Sequence, residues 1–237
     1  MNTKILIVVA ALLVAAGTAA VASTQAQSFD VATVDSPRFS ARIDNPWFPL
    51  IPGTTAVYTG AKDGKQGRDV VTVTHETKVI AGAPCRVVRD RLYLEGRLAE
   101  RTVDWYTQDR AGNVWYFGEA TAELDEHGHV TSTEGSWQAG VDGAVPGIFM
   151  PARPRVGDAY RQEFYKGHAE DHFRIVGRFE TVTSPRVPNA LLTQEWTPLE
   201  PGVVDHKLYV RGIGNVLERS VKGGNEHLEL VSLRRGA

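Results

Sequence analysis

Residues 191–210 read LLTQEWTPLEPGVVDHKLYV, and this stretch carries the pattern on which the fold depends. Two runs rich in aliphatic and β-branched residues, 191–197 and 203–210, flank the turn-forming residues Glu200-Pro201-Gly202. Within the second run apolar and polar side chains alternate, which is the period of a strand that buries one face. A run, a turn and a second run in this order predict a β-hairpin.

The same organisation continues along the chain from Thr54 onward. Short strand-like runs are separated by turn-forming groups such as Asp63-Gly64 and Gly223-Gly224-Asn225. No window of about a dozen residues carries a helical stripe, and the intervals between runs are too short for the crossover helices of a parallel sheet. We therefore predict an all-β protein built as a single curled antiparallel meander of about twelve strands. A half-barrel, a barrel and a sandwich are the three forms open to such a sheet.

Two segments depart from this pattern. Asn45–Gly53 holds three prolines, which exclude a helix and a central strand, so we expect a rigid segment that closes one end of the core. Residues 135–157 are rich in glycine and proline and are predicted to form a long irregular loop. Long loops in compact domains often form lids or rims of binding sites, so this loop is a candidate cover for a cavity mouth.

The first residues have the organisation of an export signal. Lys4 supplies a positive charge, residues 5–21 are uncharged and rich in alanine, valine and leucine, and Ala20-Val21-Ala22 fits the small-x-small site of signal peptidase. A retained membrane anchor is the other interpretation, but the run is short and dominated by alanine, so cleavage is favoured. We predict a signal peptide over 1–22 and a secreted or periplasmic protein with no stable membrane span after cleavage.

The mature chain is expected to divide into an extended lead-in over 23–44 and a single β domain over 45–237. Hydrophobic residues make up 42% of the 237 residues and charged residues 23%, which is sufficient for a packed core. A formal net charge of −2 offers no basic face to nucleic acid and no polybasic stretch to an anionic membrane. The one cysteine, Cys85, excludes an intramolecular disulfide and cysteine-based zinc sites, and is interpreted as a small buried hydrophobe.

Four longer strings combine aromatic residues with glycine or proline: NPWFPLIPGTT (45–55), GNVWYFGE (112–119), GSWQAGVDGAVPGIFMP (135–151) and EWTPLEPGVVDHKLYVRGIG (195–214). They resemble an uncharacterised family of exported bacterial all-β proteins. The resemblance covers most of the mature chain and implies an exported β fold, but it supplies no activity. The closing pattern Tyr209–Glu218, with Gly212 and Gly214 before Val216, is also similar to the last strands of half-barrel periplasmic proteins related to lipoprotein carriers.

A turn signal at Lys166-Gly167 indicates where acidic and histidine residues could meet. With a two-residue turn at this point, Glu163 faces Glu170 across the ladder, and His172 shares the face of Glu170. Two facing carboxylates destabilise a strand pair unless a cation or a protonated histidine compensates. The pattern therefore favours a cluster on one face of the sheet.

A symmetric register around Glu200-Pro201-Gly202 places Glu195 opposite His206. Imidazole and carboxylate groups together suit a divalent metal such as zinc, manganese or iron. The same groups could instead serve general acid–base chemistry, or could point to solvent and pair with nearby arginines. The predicted cluster consists of Glu163, Glu170, His172, Glu195 and His206.

Aromatic residues are dense between 105 and 117. Four aromatic side chains are candidates to line an apolar ligand pocket, and core packing between adjacent strands is the other interpretation. The candidates are Trp105, Trp115, Phe117 and Trp137.

Three functions follow from these patterns. The first is an exported binding or carrier module for a lipid or another apolar or amphipathic small molecule, with the 135–157 loop over the mouth of the curled sheet. The second is a metal-assisted enzyme that uses the glutamate and histidine cluster. The third is a structural or interaction protein of the cell envelope. The first is favoured, because curled sheets readily offer cavities and the sequence carries no specific catalytic motif.

Overall fold

The computed structural model describes residues 38–183 and 186–236. The predicted signal peptide over 1–22 and most of the predicted lead-in lie outside the described residues. Every regular element among the described residues is a β-strand, as the sequence predicts. The sixteen strands are β1 (Phe39–Ser40), β2 (Thr55–Lys62), β3 (Lys65–Ile80), β4 (Ala83–Leu94), β5 (Arg97–Asp109), β6 (Val114–Leu124), β7 (Val130–Ser132), β8 (Trp137–Gln138), β9 (Val145–Met150), β10 (Ala159–Arg161), β11 (Glu163–Phe164), β12 (His172–Thr183), β13 (Arg186–Trp196), β14 (Val204–Val210), β15 (Gly214–Lys222) and β16 (His227–Arg234).

Tight turns set the register of the first strands. Asp63-Gly64 joins β2 to β3 and Glu95-Gly96 joins β4 to β5, with φ angles of 54° and 72° in the first turn and 51° and 76° in the second. Two consecutive residues with positive φ are typical of the type I′ turn, whose twist matches that of the flanking strands. The meander therefore begins with long, well-paired hairpins.

The strands form one antiparallel sheet that curls into a nearly closed barrel. Its neighbours run in the order β10-β12-β13-β14-β15-β16-β2-β3-β4-β5-β6-β9-β11, so the main path holds thirteen strands. The two ends of this path, β10 and β11, are consecutive in the chain and are separated only by Gln162. One short segment thus pairs with both edges of the sheet, on one side with β12 and on the other with β9. The predicted all-β fold with a curled antiparallel sheet is confirmed, and the barrel is the form that the sheet takes.

The segment 135–157 is less irregular than the sequence predicts, because β8 and β9 lie within it. Strand β9 is part of the barrel wall, where Ile148 pairs with Trp115 of β6 and Pro146 pairs with Glu163 of β11. Its glycine is required by a close approach of two strands. A Cβ atom built on Gly147 would lie 2.1 Å from the carbonyl oxygen of Arg161. The glycine that suggests a loop in the sequence instead allows the barrel to close.

Asn45–Gly53 closes one end of the barrel with turns, as expected from its prolines. The amide of Asn45 donates to the carbonyl oxygen of Gly112 (2.8 Å), and its side-chain oxygen accepts from the backbone N–H of Trp47 (2.8 Å). Trp47 and Leu50 are buried in the main hydrophobic core. Cys85 is also fully buried there, and burial raises the pKa of its thiol to about 12, which fits the small buried hydrophobe predicted for it.

Candidate functional site

The interior of the barrel holds a partly open cavity of about 330 Å³. Its apolar part lies next to the closing segment Asn45–Gly53, which contributes Phe48. The rings of Phe48 and Phe149 lie 4.6 Å apart, and Phe149 packs edge-on against Tyr106 at 5.0 Å. Tyr106 stacks on Tyr116 of the neighbouring strand at 4.7 Å. These four aromatic side chains form one wall of the cavity.

Ionisable side chains follow one another around the remaining wall. Seven strands of the barrel contribute an acidic residue and β14 contributes a lysine, because a residue of suitable parity on each of them points inward. We call the acidic members the carboxyl belt: Asp69 of β3, Asp90 of β4, Asp104 of β5, Glu119 of β6, Glu163 of β11, Asp171 before β12, Glu195 of β13 and Glu218 of β15.

The lysine of the cavity lining is already paired with two members of the belt. Lys207 of β14 lies 3.2 Å from Glu195 and 3.2 Å from Glu218. Burial opposes the charge of Lys207, but the two carboxylates outweigh burial and raise its pKa well above the ordinary lysine value. This side of the belt is therefore an ion-pair network with its own cation.

Asp104 and Glu119 meet on the other side of the belt as directly facing residues of β5 and β6. The hydroxyl of Tyr116 donates to Asp104 at 2.7 Å. Burial, with Asp69 and Glu100 nearby, nevertheless raises the pKa of Asp104 to about 7. Burial, followed by the charges of Asp104 and Glu163, raises the pKa of Glu119 well above its ordinary value.

Glu163 occupies the strand that closes the barrel and is only 5% exposed. The indole N–H of Trp137 donates to its carboxylate. This bond favours the charged form, but burial and the neighbouring Asp171 and Asp104 outweigh it and raise the pKa of Glu163 to about 8. At neutral pH this side of the cavity therefore holds carboxyl groups that retain protons.

Several polar groups of the lining have no hydrogen-bond partner in the described part of the chain. The side-chain oxygen of Thr54 and Oδ1 of Asp69 are buried without a partner, and such a group costs about 1–3 kcal/mol. The side-chain amide of Gln162, a residue that is 5% exposed, and the carboxyl of the half-buried Glu119 make no hydrogen bond there either. An occupant of the cavity could supply what the chain does not.

The turn near Lys166 differs from the predicted one and changes the expected pairing. Tyr165 pairs with Ala169, so the turn is centred on Gly167 and the register moves by one residue. Glu163 consequently does not face Glu170 but pairs with Pro146 of β9. The carboxylate of Glu170 accepts from the backbone N–H of Gly167 at 2.7 Å within the turn.

The second predicted pairing is also displaced by one residue. Glu195 faces Asp205, and His206 faces Gln194, so Glu195 and His206 do not form the expected pair. The ring of His172 stacks on Trp196 at 5.7 Å, and its Nδ1 bonds with the carbonyl oxygen of Glu170 at 2.8 Å. Of the five residues of the predicted cluster, Glu163 and Glu195 line the main cavity. No group of three histidine, cysteine or acidic side chains that could hold a metal ion occurs among the described residues.

The four aromatic candidates from the sequence lie beside the cavity rather than along it. Trp105, Phe117 and Trp137 are buried in the core, and the indole of Trp115 donates to Asp109 at 2.9 Å. Phe39 of β1, which pairs with β5, packs edge-on against Phe117 at 5.4 Å. The alternation of β5 explains the difference, since adjacent strand residues point to opposite faces and Tyr106 takes the inner one.

Sequence reasoning missed most of the belt. Asp69, Asp90, Asp104 and Glu218 lie in strand-like runs, where a charged residue is ordinarily assigned to the solvent face. The available signal was parity: Asp104 shares its face with Tyr106, two residues further along an otherwise apolar run.

Comparison with known proteins supplies little beyond this geometry. No protein-family model matches the chain, and no curated protein matches it. Among solved structures, a protein from Bacteroides fragilis that is described as exported and as having a YmcC-like fold is similar at 15% identity and a TM-score of 0.44. The match covers 80% of this chain and 99% of the other. Function therefore has to be argued from the residues of this chain.

Among the described residues, no helix has the length and apolar character that crossing a membrane demands.

Proposed function

We propose that the protein is an exported, non-enzymatic binding module whose barrel cavity holds one small amphipathic molecule. The observation that carries this proposal is the two-part lining of the cavity. Along β5 and β6 the aromatic pair Tyr106 and Tyr116 lies directly beside the carboxyl pair Asp104 and Glu119. A molecule with an apolar part and a polar part satisfies both regions at once.

The size of the cavity limits the ligand. A volume of about 330 Å³ lies at the lower end of the range of about 300–1,000 Å³ that is usual for small-molecule sites. It suits a compact ligand or one with a single short chain better than a lipid with two acyl chains. The export part of the proposal is supported by the signal-like organisation of residues 1–22.

A metal-assisted enzyme receives less support. Its hypothesis depends on two facing pairs, Glu163 with Glu170 and Glu195 with His206, and neither pair forms. The two glutamates that do reach the cavity are each engaged, Glu163 with Trp137 and Glu195 with Lys207.

Native mass spectrometry of the mature protein, purified from the medium or periplasm of its host, tests the binding role. We expect a small molecule that is retained under native conditions and lost on denaturation. The substitution Val71→Trp fills the cavity from β3 and should abolish retention, as well as the fluorescence of the neutral probe N-phenyl-1-naphthylamine. Val70→Trp, on the opposite face of the same strand, is the matched control.

The two variants also show which results would contradict the proposed binding role. Equal retention in the Val71→Trp and Val70→Trp proteins would place the ligand outside the barrel. A wild-type protein that carries no small molecule and binds no probe would exclude the binding module.

A further inference from the structure

We propose that the polar part of the ligand is an organic cation, an amine-bearing group held between Asp104, Glu119 and Glu163. The inference deepens the proposed function and rests on it. It assigns a chemical class to the molecule in the cavity and a position to its charged end.

The first support is the charge balance of the lining. Eight carboxyl groups face one basic side chain among the described residues that line the cavity. That base, Lys207, is held by Glu195 and Glu218 on its own side. The opposite side of the belt is left without a cation from the lining, although like charges at facing positions such as Asp104 and Glu119 destabilise a ladder.

The second support is that two polar groups at the proposed site have no hydrogen-bond partner in the described chain. The carboxyl of Glu119 and the amide of Gln162 make no side-chain hydrogen bond in the described chain, and Gln162 adjoins Glu163. An ammonium group has several N–H donors and no acceptor. Carboxylate oxygens and an amide oxygen are acceptors, so they can accept hydrogen bonds from such a group.

The geometry favours an organic cation over a metal ion. Asp104, Glu119 and Glu163 project from β5, β6 and β11 around an open space, and no group of three potential ligands in the described chain converges as a metal site requires. The aromatic wall of Tyr106 and Phe149 adjoins the same carboxyls and can cover the carbon skeleton of an amine.

Protons occupy these carboxyls when no cation is bound. The pKa of Asp104 is raised to about 7 and that of Glu163 to about 8, chiefly by burial. The charged or titratable groups around Asp104 are Glu119 and Tyr116 of β6, Glu100 and Tyr106 of its own strand, Asp69 of β3, Asp90 of β4 and Glu163 of β11. Those around Glu163 are Asp171, Asp104, Glu119, Tyr116 and Lys207 of β14. A bound ammonium lowers the pKa of these carboxyls, so binding releases protons and strengthens as pH rises through 7 to 8.

Three probes of equal chain length separate the alternatives by isothermal titration calorimetry: n-octylamine, 1-octanol and octanoate. Above pH 8, where both carboxyls ionise, octylamine should bind about tenfold or more tightly than octanol, and octanoate most weakly. At pH 7, where these carboxyls still hold protons in the empty cavity, buffers of different ionisation enthalpy should report protons released on binding of the amine and none on binding of the alcohol.

Glu119→Gln tests the assigned position, with Glu123→Gln, at an exposed position four residues further along β6, as its matched control. The first variant should weaken octylamine about tenfold and leave octanol unchanged, which also reports an intact fold. The control should change neither affinity. If octanol binds as tightly as octylamine, the cation is excluded while the binding module stands. If none of the three probes binds, the proposed function itself fails.

Discussion

Asp104 and Glu119 face each other across β5 and β6, so two carboxyl groups share one position of an antiparallel ladder inside the barrel. Tyr116 supplies one hydrogen bond to Asp104, and the rest of the conflict is relieved by protonation, because burial raises the pKa of both acids. The pair therefore links the stability of the empty barrel to pH.

The substitution Asp104→Asn should flatten that dependence. Between the ordinary aspartate pKa of 3.8 and the folded value of about 7, the folded protein binds a proton that the unfolded chain has released. The contribution of Asp104 to the free energy of unfolding is thus present at low pH and lost as pH rises, by up to about 1.4 kcal/mol per pH unit. Asparagine keeps an acceptor for Tyr116 but removes the proton.

Urea denaturation across this pH range measures the change. Wild type and the exposed-site control Glu123→Gln should lose stability as pH rises, and Asp104→Asn should lose less. An unchanged slope in Asp104→Asn would contradict the raised pKa.

Lys207→Met should destabilise the barrel, because it leaves Glu195 and Glu218 close together without their cation. Removal of one partner from a buried ion pair costs about 3 kcal/mol or more. The loss should be smaller at acid pH, where Glu218, whose pKa is raised by burial, takes up a proton. Thermal unfolding at acid and neutral pH measures it, with Lys222→Met at an exposed site of β15 as control. Equal melting temperatures for the two variants would show that the network contributes nothing.

Gly147→Ala should destabilise the closure of the barrel. The added methyl group would lie 2.1 Å from the carbonyl oxygen of Arg161, so β9 and the segment that joins β10 to β11 must separate. A cost of about 1–3 kcal/mol is expected for such overpacking. Gly67→Ala is the control, since the nearest atom to its Cβ would be in the side chain of Leu228, at the ordinary contact distance of 3.4 Å. Chemical denaturation of both variants tests the difference, and a stable Gly147→Ala protein would argue against a tight closure.

The N-terminal segment yields a prediction independent of the barrel. If residues 1–22 are an export signal, the protein recovered from the medium or periplasm should begin at Ser23. Intact-mass spectrometry decides this directly. A mature protein that still carries Met1 would show an anchor or an uncleaved leader instead.

The fold follows from the sequence further than the site does. The alternation in 203–210 and the turn groups between runs predict antiparallel strands, and the structure has them. The sequence did not determine which residue of one strand pairs with which residue of the next. A turn centred on Gly167 in place of a two-residue turn moves every partner by one position, which removes the expected pairing of Glu163 with Glu170.

The carboxyl belt could not be predicted from the sequence for a related reason. Which face of a strand is buried depends on closure of the sheet, and closure depends on how β9 and β11 pair. Without that pairing, Asp90 or Glu218 in a strand reads as a solvated charge, and Pro146 and Gly147 read as a loop. Only the assembled barrel turns these residues toward a common interior.

The short segment around Gln162 gives the barrel an uneven resistance to opening. It is held by three paired residues on one side and two on the other, whereas the remaining wall consists mostly of long hairpins. Local fluctuations should therefore be concentrated at the short ladders, which are those of this segment and the three-pair ladders of β15 with β16 and of β6 with β9, while the long hairpins stay paired. The time for which a bound molecule stays in the cavity would then be set by the transient opening of a few backbone hydrogen bonds. It would be largely independent of the free energy of unfolding of the whole protein.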